Sequence, residues 1–535
     1  QGEHKPNQHE FERKNDDDSD SKQNGLPISE NHNKEGQSRA SFEDAISATG
    51  LGKYNALLIL LLIFPTTAQV FETASLSYVL PIAQCDLDIT LEDIGLIIGM
   101  TYVGMIATGF LWGCLSDAYG RKNILICGLL LNGAFMAMAA FSTSSTLLMI
   151  SRVFSGVGLG GHFSTAIVHS SEFYRKEYRG TAKLLWGIME SIANMILPLL
   201  AWLVLTNRWE FTLGSHEYHT WNGFLLICSM FPIAGGICYI FMPESPKYLM
   251  SSGNNDKAIK VFQQVYTINT GKEKNTYPHQ TLEQERNLSD DKPAKRSAAE
   301  LIVDGLKELR FLLHKPYTSR IILVCGVSFS LSTSFNTMRI WLPQMFKAIN
   351  DYQLGHNGTS TDICVMLQSW HEDNQNQEQV CDIDADNSPV YIQSTIVALT
   401  RLVAYLIAAG VIKYVGSKKL VLCTAIATFL LTGGIYFTQS SRSILIVSSL
   451  SNAMGNVSTL MFVSISVEMF PTTLRTIAIT LHHTSSRVAT LMGNLLFPYL
   501  LETGCVPTFT FVALGPLVAG LLSLLYPDVD NKPLM

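Results

Sequence analysis

The sequence predicts an all-α integral membrane protein with twelve transmembrane helices, arranged as two halves of six. The chain has 535 residues, of which 47% are hydrophobic and only 15% charged, a balance that is unusual for a soluble protein of this length. Its apolar residues form repeated runs long enough to cross the roughly 30 Å hydrocarbon layer of a bilayer. The charges that sum to −6 lie almost wholly in the tails and loops, so this net charge says little about partners.

The first half is predicted to cross the membrane six times, beginning after a polar tail. Residues 1–41 carry an acidic cluster and few apolar residues, which is typical of a disordered tail. A short amphipathic stretch at 42–54 precedes the membrane. The six crossing segments of the half at 42–242 are expected at about 54–80, 94–115, 123–142, 146–170, 181–205 and 222–242.

A polar section at 243–319 separates the two halves, and we interpret it as a cytoplasmic linker. It contains two amphipathic patterns with helical spacing, near 256–268 and near 298–313. A second set of crossing segments occupies the half at 320–526, and residues 527–535 form a short cytoplasmic tail. These six segments are expected at about 320–346, 389–413, 418–438, 443–469, 474–500 and 505–526.

Basic residues occur in alternate connectors, which fixes the predicted orientation. Arg121 with Lys122, the lysine-rich linker and Lys418 with Lys419 all lie on one side. The opposite connectors are neutral or acidic. By the positive-inside rule, both termini are expected to be cytoplasmic.

The connector at 113–122, with the sequence GCLSDAYGRK, is predicted to form a tight turn at the cytoplasmic face. We expect Gly113 to let a neighbouring helix approach closely and Gly120 to take the positive φ that reverses the chain. Asp117 is expected to pair with Arg121 across this turn. These four residues are predicted to belong to a conformational latch, a contact that holds the cytoplasmic face closed in one state.

An internal repeat supports two copies of a six-helix unit. Glu172 follows the fourth crossing segment and Arg179 stands seven residues later, while Glu468 follows the tenth and Arg475 again stands seven residues later. We therefore assign Glu172 and Arg179 to the latch of the first half, and Glu468 and Arg475 to that of the second. Parallel repeats of this kind place a substrate near the midplane between the halves.

The segment at 347–388 is the largest predicted loop on the far side of the membrane. Asn357 begins an Asn-Gly-Thr acceptor pattern, so we expect it to be glycosylated. Cys364 and Cys381 share this oxidising compartment, and we expect a disulfide between them. Cys85 and Cys505 lie at far-side helix ends and offer a competing pair.

The turn at 113–122 follows the pattern G-x-L-x-D-x-x-G-R-K, which resembles the loop between helices 2 and 3 of the major facilitator superfamily. Further stretches resemble the synaptic vesicle glycoprotein 2 family and its insect relatives, which stand next to the organic anion and cation transporters. They are residues 42–54, Glu72 with 79–81, 152–161, 171–180, 243–247 and 467–476. The resemblance implies the major facilitator fold and a glycosylated loop after helix 7, where this chain has its longest far-side loop.

Ionic residues inside crossing segments are functional candidates, because a charge near the bilayer centre costs several kcal/mol unless it is paired or hydrated. Glu72 lies in segment 1, and it either binds a proton or cation or serves as the partner of an arginine such as Arg152. Glu190 in segment 5 has the same two interpretations. Arg152 is also a candidate for coupling a proton to cavity opening.

Arg401 in segment 8 and Arg487 in segment 11 are predicted to bind an anionic solute. The resemblance implies that helices 5, 8 and 11 face the cavity and that anion carriers are basic at the position of Arg487. The alternative is that both arginines pair internally. His482 is a candidate proton shuttle, because imidazole titrates near neutrality.

Two functions remain open from the sequence. The first is secondary active transport of a small organic ion, with an anion favoured and H⁺ or another ion as the coupling partner. The second is a transport-inactive membrane protein that acts in vesicle trafficking or protein binding, in the plasma membrane or a vesicle membrane. We expect a monomer in the lipid bilayer. Because no nucleotide-binding or metal-ligand pattern is present, we expect no enzyme activity, no cofactor, no metal and no nucleic-acid partner.

Overall fold

A computed structural model describes residues 39–84, 86–207, 209–213, 216–283, 317–376, 388–470 and 474–526, with scattered positions between 300 and 315. The predicted tails lie outside the described residues, except for the last few positions before 42. Within the described part, nearly all of the chain is helical. One small antiparallel hairpin joins β1 (Phe211–Leu213) to β2 (His216–Tyr218).

The first half consists of a short helix before the membrane and six crossing elements. The first crossing element is made of three short helices placed end to end, and each of the other five is a single long helix. Their bounds are α1 (Phe42–Ala48), α2 (Lys53–Leu61), α3 (Ile63–Ala74), α4 (Leu76–Ala83), α5 (Leu91–Tyr119), α6 (Arg121–Ala140), α7 (Ser145–Ser171), α8 (Arg179–Leu205) and α9 (Thr220–Ile240).

The linker and the second half follow the same scheme, with six long helices and one short helix on the far side. Their bounds are α10 (Pro246–Ser251), α11 (Asn255–Thr270), α12 (Tyr317–Gly355), α13 (Ile363–Asn376), α14 (Ser388–Val415), α15 (Ser417–Ile435), α16 (Ser441–Glu468), α17 (Arg475–Thr503) and α18 (Cys505–Ser523). Within the described residues, ten elements are long and apolar enough to cross a membrane. The more polar helices α7 and α17 match them in length, which completes twelve.

The glycines of α7 let the helices of the first half pack closely. A Cβ atom at Gly156 would lie 2.0 Å from the carbonyl oxygen of Thr101 on α5, and one at Gly158 would lie 2.4 Å from the backbone nitrogen of Asn132 on α6. Because real Cβ atoms do not approach so closely, only glycine fits at these crossings. Gly113 differs from the prediction, since a Cβ atom there would meet nothing within 4 Å.

The amphipathic stretch before the membrane packs against the linker. Tyr277 donates a hydrogen bond to the carbonyl oxygen of Ala45 in α1 at 2.7 Å. Asn269, near the end of α11, accepts from the backbone nitrogen of Tyr54 at 2.9 Å and donates to the carbonyl oxygen of Gly50 at 3.0 Å. The first predicted linker helix is thus present as α11. The second, at 298–313, lies mostly outside the described residues.

The far-side loop after α12 is shorter than predicted, because α12 continues to Gly355. Lys347 and Asp351 interact one turn apart in this extension, and Lys347 Nζ donates to the carbonyl oxygen of Pro81 in α4 at 3.1 Å. These contacts explain why the helix extends beyond residue 346. Asn357 is exposed and has a positive φ of 55°, so its side chain is accessible in the remaining loop.

The disulfide in the structure joins Cys364 to Cys505, with the two Cα atoms 5.5 Å apart. The predicted bond between Cys364 and Cys381 is therefore wrong, and so is the competing bond between Cys85 and Cys505. The physical reason is that α13 begins at Ile363 and packs against the start of α18, which places Cys364 beside Cys505. Cys381 and Cys85 lie outside the described residues.

We predict that Cys364→Ser lowers the thermal unfolding temperature of the full chain in detergent and that Cys505→Ser lowers it equally. Loss of this cross-link between residues 141 positions apart is expected to cost about 2–5 kcal/mol, as for other native disulfides. Cys423→Ser is the matched control, since Cys423 is a free, exposed cysteine. Peptide mapping under non-reducing conditions that pairs Cys364 with another cysteine would refute this connectivity.

Candidate functional site

A polar cavity of about 40 Å³ lies where helices of the two halves meet. Both halves contribute to its wall: α3, α4 and α8 from the first, and α12, α14 and α16 from the second. The polar and charged residues that line it are Ser77, Tyr78, Asn194, Arg339, Ser394, Arg401 and Asn452. The cavity therefore concentrates hydrogen-bonding groups in the membrane interior, where such groups are expensive to bury.

Arg401 is the predicted site residue that the structure places in this wall. It is only 5% exposed, and its Nη1 donates to Asn194 Oδ1 on α8 at 3.1 Å. The carboxamide of Asn456, oriented with its oxygen towards the guanidinium, accepts from Nε at 3.0 Å and from Nη2 at 2.7 Å. The guanidinium also lies 5.4 Å from the ring centre of Phe335. These partners are all neutral, so they leave the charge of Arg401 uncompensated by a direct ion pair.

Glu190 lies close enough to Arg401 to interact electrostatically. It is half-buried on α8. Within the described residues no ion pair of 4.0 Å or less joins the two side chains. The structure thus brings both predicted residues to the same region, while Glu190 does not line the cavity itself.

Glu72 and Arg152 form an ion pair in the interior of the first half. The distance from Arg152 Nη1 to Glu72 Oε1 is 2.8 Å, and both side chains are fully buried. Asn132 Nδ2 donates to Glu72 Oε2 at 3.2 Å, and Thr101 Oγ1 donates to Oε1 at 3.3 Å. Arg152 Nη2 donates to Ser75 Oγ at 3.2 Å. Of the two interpretations of Glu72, this geometry is that of an arginine partner, and neither residue lines the central cavity.

Arg487 and His482 lie on α17, away from the cavity wall. Arg487 Nη1 donates to the carbonyl oxygen of Met105 on α5 at 3.1 Å. The guanidinium lies beside Gly109, where a Cβ atom would be 2.6 Å from Nη1. Arg487 therefore joins the two halves through a backbone carbonyl. His482 is buried against Phe462, with ring centres 5.4 Å apart.

The turn between α5 and α6 carries a charged cluster at the cytoplasmic face. Gly120 has a φ of 95°, which confirms the predicted chain reversal. Arg121 approaches Asp117 at 3.5 Å and Glu172 at 3.0 Å, and Ser245 of the linker donates to Glu172. Burial raises the pKa of the Glu172 carboxyl, while the Arg121 guanidinium acts in the opposite direction.

Arg179 pairs with a residue of α1 rather than with the carboxylate seven positions before it. Its Nη2 lies 2.7 Å from Glu43 Oε1, and Nε donates to the carbonyl oxygen of Tyr174 at 3.2 Å. In the second half, α16 ends at Glu468 and α17 begins at Arg475. The side chains of these last two residues lie outside the described part of the structure.

Sequence reasoning missed Arg339, which lines the cavity from α12. Its charge interacts with that of Arg401, so two guanidinium groups approach the same hollow. The available signal was an arginine within the apolar stretch at 320–346, the same criterion that identified Arg401. The residue that the structure places beside Arg401 is therefore Arg339, whereas Arg487 lies on the contact with α5.

The fold and this cavity define a multi-pass membrane protein with a polar hollow between two helical halves. A family model described as Major Facilitator Superfamily matches residues 61–369 and 379–534. Because these stretches cover most of the chain, the protein belongs to the Major Facilitator Superfamily, which is not a family of enzymes. The predicted fold class is confirmed.

Three relatives confirm the resemblance to synaptic vesicle glycoprotein 2. The 2B protein of Rattus norvegicus is 24% identical over 326 residues, which are 58% of this chain and 48% of the relative. The 2C protein of Mus musculus is 29% identical over 231 residues, 43% of this chain and 32% of the relative. The 2A protein of Rattus norvegicus is 28% identical over 324 residues, which are 57% of this chain and 43% of the relative. The matched regions thus span less than half of each curated relative.

Two solved structures share the fold. The xylose transporter XylE from E. coli, in a partially occluded inward open conformation, gives a TM-score of 0.61 at 13% identity, covering 88% of this chain and 98% of that one. A crystal structure of a D-xylose-proton symporter gives a TM-score of 0.60 at 14% identity, covering 90% of this chain and 100% of that one. At such identities the likeness concerns the fold alone.

We predict that Arg152→Met destabilises the protein by about 3–5 kcal/mol, because it leaves the Glu72 carboxylate buried without its partner. Thermal unfolding of the full chain in detergent measures this loss. The double variant Glu72→Gln with Arg152→Met is expected to recover part of it, since no unpaired charge then remains. Arg442→Met, at an exposed arginine, is the control. An unfolding temperature of Arg152→Met equal to that of the wild type would contradict the assigned ion pair.

Proposed function

We propose that this chain is a secondary active transporter that carries a small organic anion across its membrane by alternating access. The observation that carries the proposal is a contrast between two buried arginines. Arg152 is neutralised by Glu72 at 2.8 Å, whereas Arg401 lines a cavity and has neutral hydrogen-bond partners. An arginine held in the membrane without a paired carboxylate is costly, and an anion from solution offsets that cost.

The contacts between the halves identify what must change during transport. Arg401 binds Asn194 across the halves near the cavity, and Arg487 binds the carbonyl oxygen of Met105. On the far side, Lys347 binds the carbonyl oxygen of Pro81. Each is a hydrogen bond to a neutral oxygen, so water can replace it when the halves rock apart.

The charged cluster around Arg121 acts as the latch of the first half in this proposal. Arg121 holds Glu172, and Glu172 also accepts from Ser245 of the linker. Lys122 adds a backbone hydrogen bond to Glu244 Oε1 at 3.0 Å. The latch thus ties the start of α6 and the end of α7 to the linker, and Glu468 with Arg475 has the same role in the second half.

The Glu72–Arg152 pair is the proposed site of proton coupling. Protonation of Glu72 would neutralise its charge, release the Arg152 guanidinium and so favour a rearrangement of α3 against α7. The likeness in fold to a D-xylose-proton symporter supports this assignment. His482 is a second candidate for proton transfer, and its Nδ1 has no hydrogen-bond partner within the described residues.

The alternative function is a glycoprotein that keeps this fold and acts in vesicle trafficking without moving a solute. The similarity to synaptic vesicle glycoproteins 2A, 2B and 2C favours it. Asn357, exposed in the far-side loop, is the proposed glycosylation site. Under this alternative, purified protein in liposomes binds organic ions at most and shows no time-dependent uptake.

We predict that Arg401→Gln abolishes uptake of an anionic solute by reconstituted protein, because it removes the charge that compensates the anion. The measurement is uptake of a labelled organic-ion panel into liposomes, with the orientation and amount of protein matched. Arg442→Gln is the control at an exposed arginine outside the cavity. Undiminished anion uptake by Arg401→Gln would remove this residue from the site, and a wild-type protein without flux would favour the alternative function.

We predict that Glu72→Gln makes uptake independent of an imposed pH gradient, because the amide cannot exchange a proton at neutral pH. Uptake is compared with and without the imposed pH gradient for Glu72→Gln and for the control Glu92→Gln. The Glu92 side chain is exposed at the far-side end of α5. A Glu72→Gln protein that still responds to the gradient as the wild type does would exclude Glu72 as the coupling site.

A further inference from the structure

The central cavity has the charge and hydrogen-bonding pattern of a site for one particular kind of anion. We infer that its substrate is a small monocarboxylate that carries a hydroxyl group near the carboxylate, and that Arg339 and Arg401 together bind the carboxylate. This inference rests on the proposed transport of an anion and specifies its substrate. It stands on three features: the second arginine, the charge balance, and the polar atoms that lack a partner.

Arg339 approaches the cavity from α12, and Arg401 approaches it from α14. The two guanidinium groups are close enough to repel each other electrostatically. Within the described residues neither forms an ion pair with a carboxylate, and Arg339 Nε has no hydrogen-bond partner. A planar carboxylate fits between two guanidinium groups, because its two oxygens can accept hydrogen bonds from the N–H groups of both. Binding would also relieve the repulsion between the arginines.

The charge balance indicates a solute with a single negative charge. The groups that interact electrostatically with Arg401 are Arg339, Glu190 and Tyr78. With the Tyr78 phenol neutral, the two arginines carry two positive charges and Glu190 carries one negative charge. One further monoanion therefore brings the net charge of the cluster to zero. A dianion would leave a net negative charge in a low-polarity site, which carries a high cost. Arg487 is left out of the balance because it does not line the cavity and is not among the groups that interact electrostatically with Arg401.

Polar atoms without a partner line the same cavity and indicate a hydroxyl group on the solute. Both side-chain atoms of the Asn452 carboxamide and the Ser77 hydroxyl have no hydrogen-bond partner within the described part of the chain. These two residues are 3% and 2% exposed. A buried polar group without a partner costs about 1–3 kcal/mol. A carboxamide both donates and accepts, as a hydroxyl group does, so the two complement each other.

The size of the cavity limits the solute. Its volume of about 40 Å³ is enough for a few small groups, given that about 10–15 Å³ of such volume holds one water molecule. A compact acid with few heavy atoms fits this conformation better than a sugar or an aromatic acid.

The test measures binding of four probes to the purified full chain in lipid nanodiscs. L-lactate is the hydroxylated monocarboxylate, propionate lacks the hydroxyl group, L-malate is a dianion, and tetraethylammonium is a cation. We expect lactate to bind about tenfold more tightly than propionate, because propionate leaves the buried amide unpaired. We expect malate to bind more weakly than lactate and tetraethylammonium not to bind.

Variants separate the two parts of the site. Arg339→Gln should weaken lactate binding by about tenfold or more through loss of a charge-assisted contact, while Arg339→Lys retains part of the affinity. Asn452→Leu should make the affinities for lactate and propionate equal. Ser77→Ala, a smaller change, should reduce the difference between the two affinities only in part. Arg442→Gln, at an exposed arginine that does not line the cavity, should bind lactate as the wild type does.

Three results would overturn the inference: malate or propionate binding at least as tightly as lactate, Arg339→Gln binding lactate normally, or a lactate preference that survives both Asn452→Leu and Ser77→Ala. Failure of this inference is distinguishable from failure of the transport proposal. Uptake of another anion that depends on Arg401 would leave the transport proposal intact. Absence of any anion uptake or binding would remove both.

Discussion

The cost of holding a positive charge inside a membrane shapes the interior of this protein. Arg152, Arg339, Arg401 and Arg487 all lie well inside crossing helices, where such a charge must be paired, hydrogen-bonded or hydrated. Arg152 has a buried carboxylate partner, and Arg487 binds a backbone carbonyl across the halves. Arg401 and Arg339 have no carboxylate in an ion pair, and both line the cavity. Position relative to the cavity therefore separates Arg401 and Arg339, which a solute can reach, from Arg152 and Arg487.

This separation links the fold to the proposed transport. Close packing at glycines such as Gly156 makes the first half a firm unit around its buried ion pair. The polar contacts between the halves are hydrogen bonds to neutral oxygens, such as that of Arg487 to Met105, and they lie beside apolar packing between the halves. In the proposed mechanism, a binding site made of residues from both halves couples occupancy to their relative motion, because a bound solute would contact α12 and α14 on one side and α4 on the other.

The fold could be predicted from the sequence, but only part of the site could. Apolar runs and alternating basic connectors give the number and direction of the crossings. The connector at 113–122 predicted the positive φ of Gly120 and the pairing of Asp117 with Arg121. Partners distant in sequence depend on how helices pack. The pairing of Glu72 with Arg152 was one of two interpretations that the sequence left open, whereas Cys364 pairs with Cys505 because α13 lies on α18. Arg339 carried the same sequence signal as Arg401, an arginine within an apolar segment, but its place in the cavity wall depends on the rotation of α12, which the sequence does not show.

In the proposed transport, an anion supplies the missing counter-charge of Arg401 and Arg339. A crystal structure of the protein with bromolactate tests it most directly, because bromine gives an anomalous signal that locates the solute independently of the protein map. We expect a single strong bromine peak in the cavity between α4, α12 and α14, with the carboxylate of the same molecule in contact with both guanidinium groups. A peak confined to another site, or a cavity without a peak at a concentration that saturates binding, would contradict it.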